Sequence, residues 1–102
     1  MPDSLEKEIL VRDRVCVYCS VKFGLSKEAR KTNPTWEHII NDAKIITREN
    51  IARCCVACNS SKETKKLSDW FKSSYCKRKG INANTVAGVI KKALKNKARS
   101  IL

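Results

Sequence analysis

The chain has 102 residues, enough for one small domain, and 42% of them are hydrophobic, which excludes a fully disordered chain. Its formal charge of +12 argues for a polyanionic partner, nucleic acid first and an acidic membrane surface second. No apolar run approaches the ~20 residues of a membrane span, and Met1 to Leu10 lacks the apolar stretch of a secretory signal, so a cytoplasmic protein is expected.

Taken in chain order, Asp3 or Ser4 can cap a short helix carrying Leu5, Ile9 and Leu10, ending near Asp13. Arg14 to Val21 reads as a hairpin around Cys16 and Cys19, and residues 22–34 as a surface loop. Thr35 to Ile40 is β-rich. Asn41-Asp42 supplies turn chemistry, and Lys44 to Thr47 can return as the second strand. Asn59 can begin a helix running to about Lys66, and Ser68 can cap a short turn carrying Trp70 and Phe71. Lys77 to Gly80 reads as a basic loop. Asn84 or Thr85 can cap a last helix with Val86, Val89, Ile90, Ala93 and Leu94 on one side and a basic remainder that includes Lys97 and Arg99. That apolar stripe is expected either to pack on the protein's own core or to form a dimer surface.

The charge is uneven. Residues 1–59 hold 10 basic and 8 acidic side chains, whereas residues 60–102 hold 12 basic and 2 acidic. The back half therefore carries the electrostatic footprint.

Six cysteines occupy positions 16, 19, 54, 55, 58 and 76. Cys16-Val17-Tyr18-Cys19 and Cys55-Val56-Ala57-Cys58 each place two thiols on one tight turn, which suits half of a tetrahedral thiolate site. Together Cys16, Cys19, Cys55 and Cys58 make a structural Zn²⁺ site. A disulfide framework is the alternative, disfavoured in a reducing compartment. Cys55, not Cys54, has the two-residue gap to Cys58. Cys54 and Cys76 are expected to be buried apolar thiols.

The chain's one histidine, His38, follows Glu37 and falls between the two cysteine pairs. Asn59 adjoins Cys58, so a metal cross-link would bring its helix close to the strand bearing His38. A neutral imidazole can take a proton from water near neutral pH. Glu37 and Asn59 offer hard oxygen donors suited to Mg²⁺ or Mn²⁺. That combination suits phosphodiester hydrolysis. Strand neighbours point to opposite faces, so Glu37 and His38 meet at one spot only where the strand twists or ends.

Four segments in this order, Cys16-x-x-Cys19, Trp36-Glu37-His38-Ile39-Ile40, Glu49-Asn50-Ile51 and Cys55-x-x-Cys58-Asn59-Ser60-Ser61-Lys62, resemble the HNH endonucleases of the ββα-metal class. The resemblance implies an α+β fold: a small, treble-clef-like ββα-metal domain with a four-cysteine zinc site, flanked by N- and C-terminal helices. It covers about residues 10–67 of a single domain, with a basic helical extension over 68–102. It implies His38 as general base, Glu37 and Asn59 as ligands of one catalytic divalent ion, and Asn50 as the residue holding the loop that orients the histidine. Members of the family generally leave 5′-phosphate and 3′-hydroxyl ends. Glu37 replaces the usual Asp. Glu63 stands where many relatives have Gly, so the helix is expected to run on towards Lys66.

DNA, most readily double-stranded, is the expected partner. Lys62, Lys65 and Lys66 recur at one-turn spacing and should contact the backbone near the scissile phosphate, and Arg48 and Arg53 flank Asn50 within reach of phosphate. One metal site cuts one strand, so double-strand cleavage would need a homodimer or a larger complex. The alternative function is a zinc-containing nucleic-acid-binding module without catalysis.

Overall fold

The computed structural model of the chain describes residues 1–24 and 27–96. In chain order it has α1 (Asp3–Arg12), a 3-10 turn (Lys27–Thr32), β1 (Pro34–His38), β2 (Ile51–Cys55), α2 (Val56–Lys62), α3 (Leu67–Trp70), α4 (Ser74–Lys79) and α5 (Gly88–Asn96). The two strands form an antiparallel ribbon in which Trp36 pairs with Arg53, Glu37 with Ala52 and His38 with Ile51. The protein is thus a small α+β domain, and α2 follows β2 without an intervening loop.

The second strand is not where periodicity placed it. Residues 44–47 lie in a string of turns: the Asp42 carboxylate accepts from the Lys44 backbone N–H at 3.0 Å, and the Asp42 carbonyl accepts from Ile45 N–H at 3.0 Å. Ile46 is left 45% exposed, so no apolar face holds that segment against a sheet. Ile51, Ala52, Cys54 and Cys55 are buried instead, and they form the pairing strand. A strand buried on both faces shows no alternation, which is why it is hard to read.

Three helix boundaries also differ from expectation. The helix after the second cysteine pair starts at Val56 and stops at Lys62, not Lys66. Glu63 adopts φ 49° and ψ −124°, so it takes up the left-handed backbone that a glycine would supply. The basic stretch 77–79 is the end of α4, capped by the Ser73 hydroxyl on Cys76 N–H and closed by Gly80 at φ 69°. Residue 68 does not cap: the N-cap is Lys66, two residues earlier, and α3 begins at Leu67.

One core runs from the first cysteine pair to the last helix, with Val17, Tyr18, Ala52, Cys54, Leu67, Trp70, Ile81, Val86 and Ile90 in contact. Full burial of side chains such as Leu67 or Ile90 stabilises by about 1.5–3 kcal/mol each. The stripe of α5 packs inward through Ile90 and Ala93 onto this core, so it is not an open dimer surface. Lys97 and Arg99 lie outside the described residues. No helix among the described residues is long and apolar enough to cross a membrane.

Candidate metal centre and polar site

The two cysteine pairs are built alike. In each, the backbone N–H of the second cysteine points at the sulfur of the first: Cys19 N to Cys16 Sγ at 3.5 Å, and Cys58 N to Cys55 Sγ at 3.4 Å. The first turn is closed by Cys16 N–H on Val21 O at 3.0 Å and Ser20 N–H on Cys16 O at 3.0 Å, with Ser20 at φ 65°. The second uses the β2–α2 junction, where Cys55 is both the last strand residue and the N-cap of α2.

All four sulfurs, Cys16, Cys19, Cys55 and Cys58, lie within 4.8 Å of one another. Cys19 and Cys55 Sγ are 3.8 Å apart, and a tetrahedron with bonds of about 2.3 Å has edges of about 3.8 Å. The donor set and its spacing therefore fit a metal ion. Contacts with Cys55 and then Cys58 pull the Cys16 thiol down to about 2, while the contact with Cys16 pushes Cys55 up to about 11. Tyr75 Oη lies 3.3 Å from Cys58 Sγ and can donate to it. All six cysteines are free. Cys54 and Cys76 are fully buried, and desolvation pushes both thiols up, as suits apolar filler.

Glu37 does not face solvent. It points from β1 into the interior, 5% exposed, on the same face as the partly buried Thr35 and the buried Ala52 and Cys54. Its Oε2 accepts from Tyr18 Oη at 2.9 Å and pairs with Lys62 Nζ at 3.2 Å. Tyr18 and Lys62 are each 1% exposed. Burial first, and then the Glu37 charge, push the Tyr18 phenol well above its ordinary range, which keeps the proton on the phenol as a donor to the carboxylate. The Lys62 ammonium makes this ion pair but no well-aligned hydrogen bond. Its expected place on a basic outer edge is therefore corrected: three residues past Asn59 on α2, Lys62 turns to the same inner side and cannot reach a phosphate at the surface.

Asn59 docks α2 onto β1, its Nδ2 donating to Thr35 Oγ1 at 2.9 Å and lying 3.5 Å from Trp36 O. Its Oδ1 has no partner among the described residues, and neither does Glu37 Oε1. Asn50 is 4% exposed and fully engaged. Its Oδ1 accepts from Ile40 N–H at 2.7 Å, and its Nδ2 donates to Ile40 O at 3.2 Å and Ile45 O at 3.1 Å. Its own carbonyl accepts from Ile39 N–H at 2.8 Å. Asn50 thus ties down the two residues that follow His38.

His38 is the last residue of β1 and half-buried. Strand alternation sets it on the face opposite Glu37, with Trp36 and Arg53. No hydrogen bond joins its ring to Glu37 or Asn59 among the described residues. Lys65 and Lys66 are exposed, Lys65 Nζ lying 3.2 Å from Glu63 Oε1. Arg48 is exposed and pairs with Glu8 at 3.1 Å. The Arg53 backbone N–H donates to Asp13 Oδ2 at 3.1 Å.

Sequence reasoning missed Tyr18 and Asp13. Asp13, 4% exposed, takes a two-pronged contact from Arg12 at 2.7 and 2.8 Å and ties α1 to β2. A usable signal existed for Tyr18: Glu37 shares a strand face with Thr35, and a carboxylate on an inward face requires a donor and a cation nearby.

No protein-family model matches the chain, and searches of curated proteins and of solved structures found no match either.

Proposed function

We propose that the chain is a zinc-stapled, metal-dependent DNA endonuclease of the HNH kind. The observation that carries this reading is Asn50. Buried, with three side-chain hydrogen bonds, it fixes the exit of the chain just after His38, which is the work expected of the middle residue of the motif. The four-sulfur cluster anchors the start of α2, and Asn59 ties the same helix to β1. Thiolate ligands at this spacing select Zn²⁺ among common cellular metals.

In this reading His38 accepts a proton from water, whose oxygen attacks the phosphorus. The bond from phosphorus to the 3′ oxygen breaks, leaving a 5′-phosphate and, after that oxygen is protonated, a 3′-hydroxyl. Glu37 Oε1 and Asn59 Oδ1 are the free hard oxygens that would hold Mg²⁺ or Mn²⁺, which supplies charge stabilisation at the phosphate and leaving oxygen. Lys65, Lys66, Arg48 and Arg53 would contact the DNA backbone, so affinity should fall steeply with salt. A nick in one strand is the expected product of one chain.

The test is incubation of supercoiled plasmid with Mg²⁺ or Mn²⁺. Wild type should produce nicked circles, and His38→Ala should lose about 100- to 10,000-fold of the rate. Activity retained in His38→Ala would reject the assigned base. A second reading, a nucleic-acid-binding module without catalysis, is favoured by the Lys62 ammonium already resting on Glu37. It predicts equal DNA binding by wild type and His38→Ala and no cleavage by either.

A further inference from the structure

The outer face of the ribbon holds an arrangement that hydrolysis does not use. Trp36 and Arg53 are direct cross-strand partners, so their side chains leave the same face. The Arg53 guanidinium carbon lies 4.9 Å from the Phe23 ring centroid and 5.7 Å from that of Trp36. Among the described residues this guanidinium has no carboxylate partner and no hydrogen bond. Its planar set of five N–H donors is therefore held by ring faces and left open to a ligand. Trp36 is 39% exposed, while Trp70, the other tryptophan, is fully buried. His38 follows two residues along the same strand face, about 6.7 Å from Trp36 by strand geometry.

A ligand matched to this surface must bring a flat π-face for the indole and anionic oxygens for the guanidinium. A lipid surface brings anions without a ring. A paired duplex brings phosphates, but its base faces are hidden in the stack. A nucleotide out of the stack brings both. The net charge of +12 favours such a polyanion over a second copy of the chain.

We propose that Trp36 and Arg53 form a stacking site for an unpaired nucleotide of a DNA strand, with the base on the indole and its phosphate on the guanidinium. This deepens the nuclease reading by naming its substrate class, a DNA strand that is single-stranded, frayed or flipped out beside His38. It rests on nucleic-acid binding and not on the chemistry.

Because Trp36 is the solvent-facing tryptophan, its emission reports the site. The full chain is titrated with oligothymidylate of about ten nucleotides, within the range of known single-strand sites, and with a duplex of equal length. Oligothymidylate should quench the emission and the duplex should not. Trp36→Ala should weaken single-strand binding about tenfold, the worth of one stacked base, and leave duplex binding unchanged. Trp36→Phe should keep the single-strand affinity, since stacking needs only a ring, while its remaining emission, from Trp70, no longer responds. That variant keeps the test open should Trp36→Ala misfold.

Wild-type emission that stays constant while anisotropy of a labelled strand shows saturation would overturn the proposal. So would unchanged single-strand affinity in a folded Trp36→Ala, or emission that follows protein concentration and not DNA, which assigns the face to self-association. Duplex cleavage without quenching sinks this site and spares the nuclease reading. Quenching without cleavage under Mn²⁺ sinks the nuclease and spares the site.

Discussion

Each face of the β1–β2 ribbon meets a cation, and the two are treated in opposite ways. On the inner face the Lys62 side chain is 1% exposed and its ammonium is neutralised by Glu37, whose carboxylate also accepts from Tyr18. On the outer face the Arg53 guanidinium lies over Phe23 and Trp36 with no acid against it among the described residues. The formal charge of the chain does not tell these apart. Whether a cation can act on a partner depends on whether a carboxylate was buried with it.

The largest test of that contrast is removal of what holds both faces together. Stripping metal with a strong chelator, or Cys58→Ser, should unfold the domain. Structural zinc in small domains is worth about 10–16 kcal/mol, comparable with the whole stability of a domain this size. Far-ultraviolet circular dichroism with metal analysis checks this, and an unchanged spectrum after metal loss would mean that the ribbon stands without the cluster.

Next comes Lys62→Ala, which strands a buried carboxylate and should cost about 3–5 kcal/mol in urea unfolding. Lys62→Met with Glu37→Gln should restore most of it. Arg53→Ala, with no carboxylate to orphan, should cost less than Lys62→Ala. If the two single variants cost the same, the two faces are not different in kind.

Asn50→Ala should follow at about 2–4 kcal/mol, since three hydrogen bonds at roughly 1 kcal/mol each are lost and the Ile40 N–H is left unpaired, while the Ile40 carbonyl keeps Asp42 N–H. It should also lower nicking more than substrate affinity, because its hydrogen bonds fix the exit from His38 and none contacts the surface. The smallest effect is expected for Glu63→Gly. Relief of the positive φ should raise stability by about 1 kcal/mol, and a sharper end to α2 should leave Lys62 on the inner face. A thermal melt resolves it, and a fall in stability would show that the Glu63–Lys65 pair matters more than the backbone.

The four-sulfur cluster was legible because thiol spacing is local: two residues between thiols select Cys16, Cys19, Cys55 and Cys58 and leave Cys54 aside. The buried fate of Cys54 and Cys76 followed from the same exclusion. The ribbon was half legible. Trp36-Glu37-His38 read as strand, but its partner was hidden because Ile51 to Cys55 lacks alternation and carries cysteines that argue for metal first. Lys62 was misplaced because spacing along a helix was read without fixing which side faces β1. Asn59 contacts both Thr35 and the Trp36 carbonyl, and only the folded register shows that Lys62, one turn on, must then meet Glu37. Glu63 was misread from its side chain: the loss of Gly suggested a longer helix, whereas the chain turns there regardless and accepts the backbone strain.

Cys55 closes β2, caps α2 through its sulfur on Cys58 N–H and belongs to the four-sulfur cluster. Three constraints therefore share one position with no spacer between them. An inserted or deleted residue anywhere from Ile51 to Cys58 would shift strand pairing and cluster together. This stretch should accept changes of side chain far more readily than changes of length, and variation in loop size among functional variants should collect in the turns of residues 41–49 instead.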